Sequence, residues 1–150
     1  DKVKQLEREL KRLHFNVSAI HSDLEQDQRG EVLRQFKNKN LQILVATDIL
    51  SRGIDIDSIG LVINYDVPGD AEDYIHRVGR TARAESTGVA LTFINPEDQR
   101  KFKSIEDLIG SEIKKLPIPE NLGASPLYEP TKFREKPRHG FGGKTKGKKI

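Results

Sequence analysis

The run Leu41-Gln42-Ile43-Leu44-Val45-Ala46-Thr47 limits the fold more than any other stretch of this chain. It is almost continuously apolar, rich in β-branched residues and too short for a helix, so it predicts a strand covered on both faces. Such a strand needs helices beside it, and the flanking sequence supplies them. Val3, Leu6, Leu10 and Leu13 recur at helical spacing, predicting an amphipathic helix over residues 2–13. Phe15 to Ile20 (FNVSAI) reads as a short strand, and residues 25–38 as a helix with Val32, Leu33 and Phe36 on one face. Leu61 to Tyr65 (LVINY) is a second buried-strand candidate, residues 70–78 a helix, and Gly88 to Ile94 (GVALTFI) a further strand. Asn95 and Pro96 suit the cap and first turn of a last helix, Phe102, Ile105, Leu108 and Ile109 its apolar face, and Gly110 its end. The order α-β-α-β-β-α-β-α predicts an α/β fold, a mostly parallel sheet with helices on both faces. A helix with no strand before it is odd in such a fold, so a first strand is expected to be missing upstream.

Charge and punctuation divide the chain. Residues 131–150 hold eight Lys and Arg against Glu135 alone, a net +7, whereas residues 1–130 sum to −4 and the whole chain to +3. Pro117, Pro119, Pro126, Pro130 and Pro137 break regular structure, and HGFGGKTKGKKI follows. The expected organisation is a domain over 1–117 and a Pro-containing linker with a disordered, basic Gly/Lys-rich tail over 118–150. The sequence has no Cys, which excludes a disulfide scaffold, a zinc-thiolate site and a cysteine nucleophile. No apolar run approaches the roughly 20 residues that span a bilayer. No signal peptide opens the chain, so a cytoplasmic protein without a membrane partner is expected. Met is also absent and Asp1 falls within a helical pattern, as expected of a piece of a longer protein.

Three constellations carry chemistry. His76-Arg77-Val78-Gly79-Arg80-Thr81-Ala82-Arg83 gathers four ionisable or cationic side chains around a glycine. Arg80 and Arg83, three apart, would point the same way on a helical turn. Two guanidinium forks side by side suit a polyanion, since each can bond phosphate oxygens in bidentate fashion. The plain structural alternative is a solvated basic face paired with Glu72, Asp73 and Glu85. Ala46-Thr47-Asp48-Ile49-Leu50-Ser51-Arg52-Gly53-Ile54-Asp55-Ile56 follows the apolar run, and open α/β sheets bind ligands at the carboxyl ends of strands. Thr47 offers a hydroxyl there, Gly53 lets another chain approach its amide, and Asp55 can accept from a sugar hydroxyl; an ordinary surface turn is the alternative. Gln26 and Arg29 share a face at the start of the second helix, where phosphate is favoured; standing alone, the pair reads better as an ordinary exposed polar face with Asp27.

ATDILSRGIDI, HRVGRTAR and the upstream Q-x-x-R resemble motifs V, VI and IVa of DEAD-box RNA helicases. VINYDVPGDAEDYIHR resembles the stretch between V and VI in that family. The resemblance covers residues 1 to about 115, the second RecA-like domain. LTFINPEDQRKFKSIEDLIG and the basic, Gly-rich end resemble the RhlE-like bacterial branch. The resemblance implies a RecA-like (P-loop NTPase-like) fold, ATP as ligand, RNA as partner and an N-terminal RecA-like domain as second partner. Mg would be held mainly by that other domain, with no metal ligand here. Arg80 and Arg83 would be arginine fingers on the ATP γ-phosphate, and Asp55 would contact the ribose. Arg52 would reach across the interdomain cleft towards the nucleotide, and His76 would link the ATP and RNA sites at the interface. Thr47, Gly53, Gln26 and Arg29 would touch the RNA sugar-phosphate backbone, with His21 and Ser22 beside them. Arg77 has no assigned role beyond a structural ion pair, for instance with Asp66.

Two positions depart from the family pattern: Ala82 stands where Gly is frequent, and Ser22 follows His21 where Gly is usual. A Cβ costs about 1 kcal/mol or more only where φ must be positive. No G-x-x-x-x-G-K-[ST] loop and no D-E-A-D tetrad occurs, so the chain alone is expected not to hydrolyse ATP. A DNA helicase of the same superfamily competes as a reading, but many of those begin motif VI with Gln rather than His76. A non-catalytic RNA-binding or partner-docking module also competes, although RNA contact alone would not need Arg80 and Arg83.

Overall fold

The first two helices end in the same way, and that shared ending sets up the first sheet. α1 spans Lys2–Arg12 and α2 spans Gln26–Lys37. Past α1, His14 takes φ 64° and the Phe15 N–H donates to the Leu10 carbonyl at 3.1 Å. Past α2, Lys39 takes φ 60° and the Asn40 N–H donates to the Gln35 carbonyl at 2.9 Å. Both are left-handed C-terminal turns, a conformation usually supplied by Gly or Asn. Each leads into a strand, β1 (Val17–Ile20) and β2 (Ile43–Ala46). Asn16 ties the two turns together. Its Nδ2 donates to the Asn40 carbonyl at 2.6 Å, and its own carbonyl accepts from the N–H groups of Gln42 and Ile43 at 2.9 and 3.1 Å. β1 and β2 then pair in parallel, Val17 opposite Ile43 and Ile20 opposite Ala46. The computed structural model describes residues 2–47, 56, 59–81 and 88–131.

These residues belong to two compact units, Asp1–Ile63 with Ile75–Leu91 and Asn64–Tyr74 with Thr92–Ile150. In the first unit Val17, Ala19 and Ile20 are buried, together with Leu41 and Ile56. β1, rather than β2, is therefore the strand covered most fully. α1 packs on both strands while α2 packs chiefly on β1, so β2 stays half-buried along its length and the expectation for LQILVAT is corrected. β3 (Leu61–Asn64) and β4 (Val89–Thr92) form a second pair. The Val89 N–H donates to the Gly60 carbonyl and the Phe93 N–H to the Asn64 carbonyl, both at 3.0 Å. Equal steps in the same sense make this pair parallel too. LVINY is one-sided rather than buried on both faces: Leu61, Ile63 and Tyr65 are exposed while Asn64 is buried. α3 (Ala71–Val78) lies between β3 and β4 in the chain.

In the second unit, α4 (Gln99–Ile109) follows a 3-10 turn over Pro96–Asp98. Pro96 opens that turn as expected, but the Asn95 side chain does not cap it; the Asn95 carbonyl accepts from the Asp98 N–H at 3.0 Å instead. Gly110 ends α4 at φ 73°. The inner face of α4 is Gln99, Phe102, Ile105 and Glu106, whereas Leu108 and Ile109 are exposed. Two polar residues displace the expected apolar ones because later chain satisfies them. Glu106, 3% exposed, accepts from the Ile113 N–H at 2.8 Å, from the Tyr128 hydroxyl at 2.9 Å and from the Lys115 ammonium. Gln99 donates to the Leu127 carbonyl and accepts from the Glu129 N–H, both at 2.6 Å. Phe102 meets Tyr74 and Tyr128 edge-on, each with ring centroids 6.3 Å apart, and Lys115 sits 4.5 Å from the Tyr128 ring centroid. The first part of the Pro-containing stretch is thus laced to α4.

Burial of Glu106 favours its neutral form, but the bonds from Lys115, Ile113 and Tyr128 outweigh that and hold its carboxyl below the ordinary 4.5. Burial, and then the Glu106 charge, push the Tyr128 phenol up. The carboxylate therefore contributes stability that is complete above pH 4.5 and lost as pH falls through its lower folded value. Glu106→Ala is expected to cost about 1.5–3 kcal/mol at neutral pH, the scale of hydrogen bonds to a charged group. Thermal melts should show the wild-type advantage shrinking as pH drops below that range. An advantage independent of pH would show that the charge of Glu106 contributes nothing.

Candidate nucleic-acid interface

The parallel register carries the carboxyl ends of β1 and β2 to the same level. Since Ile20 stands opposite Ala46, the next residues, His21 and Thr47, emerge side by side, both half-buried. The chain turns at once, the Leu24 N–H donating to the His21 carbonyl at 3.2 Å, and enters α2. There the Gln28 side chain accepts from the Glu25 N–H at 3.0 Å, satisfying an amide at the helix start. One turn into α2, Arg29 reaches back and its Nη2 donates to the Ser22 carbonyl at 3.2 Å. Ser22 Oγ donates to Asp23 at 3.1 Å, and Asp23 also pairs with Lys4 of α1. The Lys4 bond, then the Ser22 bond, hold the Asp23 carboxyl below its ordinary value. Gln26 is exposed on the face of α2 that carries Arg29.

The structure therefore brings His21, Ser22, Gln26, Arg29 and Thr47 to one end of the β1-β2 pair. Two buried polar atoms here have no hydrogen-bond partner among the described residues, Nδ1 of His21 and Nε of Arg29. Buried polar groups are nearly always satisfied, so unspent ones at a strand's carboxyl end mark a place where a polar ligand can complete them. A guanidinium, an imidazole, a hydroxyl and a helix N-terminus together suit sugar and phosphate oxygens. Positive φ occurs at His14 and Lys39 among the described non-glycine residues and not at Ser22, so the Ser22 Cβ carries no backbone strain.

The basic motif is built differently from a continuous helix. α3 stops at Val78, and the chain tightens: the Gly79 N–H donates to Ile75 at 2.8 Å, Arg80 to Arg77 at 3.1 Å and Thr81 to Val78 at 3.0 Å. Arg80 thus lies in an exit turn, half-buried, with its carbonyl accepting from the Ile59 N–H at 3.4 Å. His76 is exposed on the last turn of α3. Arg52, Gly53, Asp55, Ala82 and Arg83 lie outside the described residues. Among the described residues no group of three or more His, Asp or Glu side chains could hold a metal ion. Thr81 is a residue that motif reading passed over: it is 1% exposed and lies against Gly88, whose place at the head of a strand was its only sequence signal.

Residues 1–85 match the model of the helicase conserved C-terminal domain. The chain belongs to that family. This helicase domain is 44% identical over 121 residues to the ATP-dependent RNA helicase FAL1 of Kluyveromyces lactis, a match covering 81% of the chain and 30% of the relative. It is 44% identical over 116 residues to eukaryotic initiation factor 4A of Drosophila melanogaster, covering 77% and 29%. Among solved structures it is similar to a DEAD box protein from Methanococcus jannaschii, with TM-score 0.70 and 46% identity over 76% of the chain and 31% of that protein. The fold is RecA-like. The helicase domain spans about 30% of the length of its curated relatives. These relatives are eukaryotic, so the RhlE-like bacterial branch is not supported.

If this end of the β1-β2 pair holds a nucleic-acid phosphate, Thr47→Val should weaken affinity for a short RNA by about fivefold, the net scale of one hydrogen bond. The swap keeps shape and removes only the hydroxyl. Fluorescence anisotropy beside a melting curve separates the outcomes. Unchanged affinity with lowered stability would make Thr47 a core hydroxyl.

Proposed function

We propose that this domain is the C-terminal half of an ATP-dependent DEAD-box RNA helicase, working against an N-terminal RecA-like domain. The observation that carries the reading is the cluster at the carboxyl ends of β1 and β2, where Arg29 and His21 keep buried nitrogens unpartnered beside Thr47. Relatives at 44% identity that bear the name of RNA helicases support it. In this reading Thr47, Gly53, Gln26, Arg29, His21 and Ser22 hold the RNA sugar-phosphate backbone. Contacts of that kind fix register without reading sequence. Closure of the two domains on one strand bends it, and the bend destabilises its pairing with the other strand of a short duplex.

ATP binds between the two domains and supplies a phosphoryl group on which negative charge must be stabilised during transfer. Arg80 and Arg83 are the groups proposed to do this, as planar forks fixed in a cleft poor in water. Asp55 accepts from the ribose, Arg52 approaches the nucleotide across the cleft, and His76 joins the nucleotide side to the RNA side. Mg is held mainly by acids of the other domain. Alone, the domain is proposed to bind RNA without hydrolysing ATP, because its sequence holds neither a phosphate-loop motif nor a D-E-A-D tetrad.

Arg80→Ala and Arg83→Ala in the two-domain helicase should each lower RNA-stimulated turnover by roughly 10³-fold or more, as finger arginines do, with RNA affinity nearly unchanged. Lysine at either position should rescue poorly, since a point charge does not reproduce the fork. Steady-state ATP hydrolysis at saturating RNA reads the effect. Wild-type turnover in either alanine variant would remove that arginine from the catalytic set.

A further inference from the structure

Thr81 and Gly88 meet in a way that bears on Arg80. Thr81 is 1% exposed, yet its hydroxyl has no hydrogen-bond partner among the described residues. That hydroxyl lies in a packed contact with a neighbouring strand residue. The shape it fits is the bare Cα of Gly88. A Cβ at Gly88 would overlap the Thr81 hydroxyl and carbonyl and lie 2.5 Å from Thr81 Cβ. Backbone is among the atoms in the way, so a rotamer change cannot make room; Thr81 itself must move, and Arg80 is its covalent neighbour.

Three dipeptides close a ring around this contact. The Ile59 N–H donates to the Arg80 carbonyl at 3.4 Å, Thr81 packs on Gly88, and the Val89 N–H donates to the Gly60 carbonyl at 3.0 Å. Ile59-Gly60, Arg80-Thr81 and Gly88-Val89 therefore hold one another pairwise. The exit turn of α3 is fixed to the starts of β3 and β4, and Arg80 is fixed with it.

We infer that Gly88 and Thr81 are positioning residues for nucleotide turnover, forming the seat that sets the Arg80 backbone. This rests on the proposed role of Arg80 at the phosphoryl group. A displacement of about 1 Å in a positioned group can cost about a hundredfold in rate. Neither Thr81 nor Gly88 is among the residues proposed to touch nucleotide or RNA, so loss of the seat should appear in kcat and not in RNA binding.

The experiment compares Gly88→Ala, Thr81→Ala, Arg80→Ala and the Gly88→Ala/Arg80→Ala double variant in the full two-domain helicase, by RNA-stimulated ATP hydrolysis and thermal melting. Gly88→Ala is expected to lower kcat between about tenfold and a hundredfold. Its KM for RNA should stay within about twofold of wild type. The double variant should turn over no more slowly than Arg80→Ala alone, because a seat without its arginine has nothing to position. If the two effects multiply instead, Gly88 acts independently of Arg80 and the inference is overturned. Wild-type kcat in Gly88→Ala overturns it as well. If Gly88→Ala does not fold, Thr81→Ala decides, since it opens a gap rather than an overlap: a fall in kcat at unchanged KM supports the seat, and wild-type kcat overturns it. An impaired Arg80→Ala beside a normal Gly88→Ala removes the seat alone. A normal Arg80→Ala removes the finger reading and the seat with it.

Discussion

The register between β1 and β2 governs where the residues of the proposed RNA interface emerge. Side chains alternate along a strand, so a slip of one residue would turn the slipped strand's outward set inward. Asn16 sets the register by bonding across the two turns before the strands begin. From there the pairing runs from Val17–Ile43 to Ile20–Ala46, and His21 and Thr47 leave the sheet together. Arg29 then reaches the Ser22 carbonyl because α2 starts at Gln26, close after β1 ends. The chemistry at the carboxyl ends is thus a consequence of contacts at the opposite ends of the same strands.

The second constraint lies at the exit of α3. A helix that continued past Val78 would carry Arg80 on a regular spiral; tightening after Gly79 instead folds Arg80 and Thr81 back towards the starts of β3 and β4. Main-chain bonds and one glycine contact hold the turn. That suits the role proposed for Arg80, whose side chain would have to reach a ligand.

Much of this was legible in the sequence, and the gaps have physical causes. Apolar periodicity located the described helices and strands to within a few residues, because burial requirements repeat at helical and strand spacing. It misjudged burial in β2 and β3, since an apolar run does not say how many layers cover it. It passed over Gln99 and Glu106 as core residues of α4, because their partners lie up to 30 positions downstream in a stretch punctuated by prolines. The turns at His14 and Lys39 were hidden because neither is the Gly or Asn that ordinarily marks a left-handed turn. At the site, residue chemistry singled out Gln26, Arg29 and Thr47 and the family resemblance added His21 and Ser22; the parallel pairing explains how residues so far apart in sequence share one end of a sheet. Thr81 and Gly88 were missed because a shape fit between a buried threonine and a bare backbone leaves no charge or periodicity to read.

The most direct test of the central claim is a backbone-amide NMR titration of this domain with a short single-stranded RNA. The amides of Ser22, Gln26, Arg29 and Thr47 are expected to shift together and saturably, with the effect weakening as salt rises. The amides of α4 should stay where they are. Saturable binding that moves α4 and leaves those four amides unshifted would contradict the assignment of the β1-β2 carboxyl end as the RNA-backbone site.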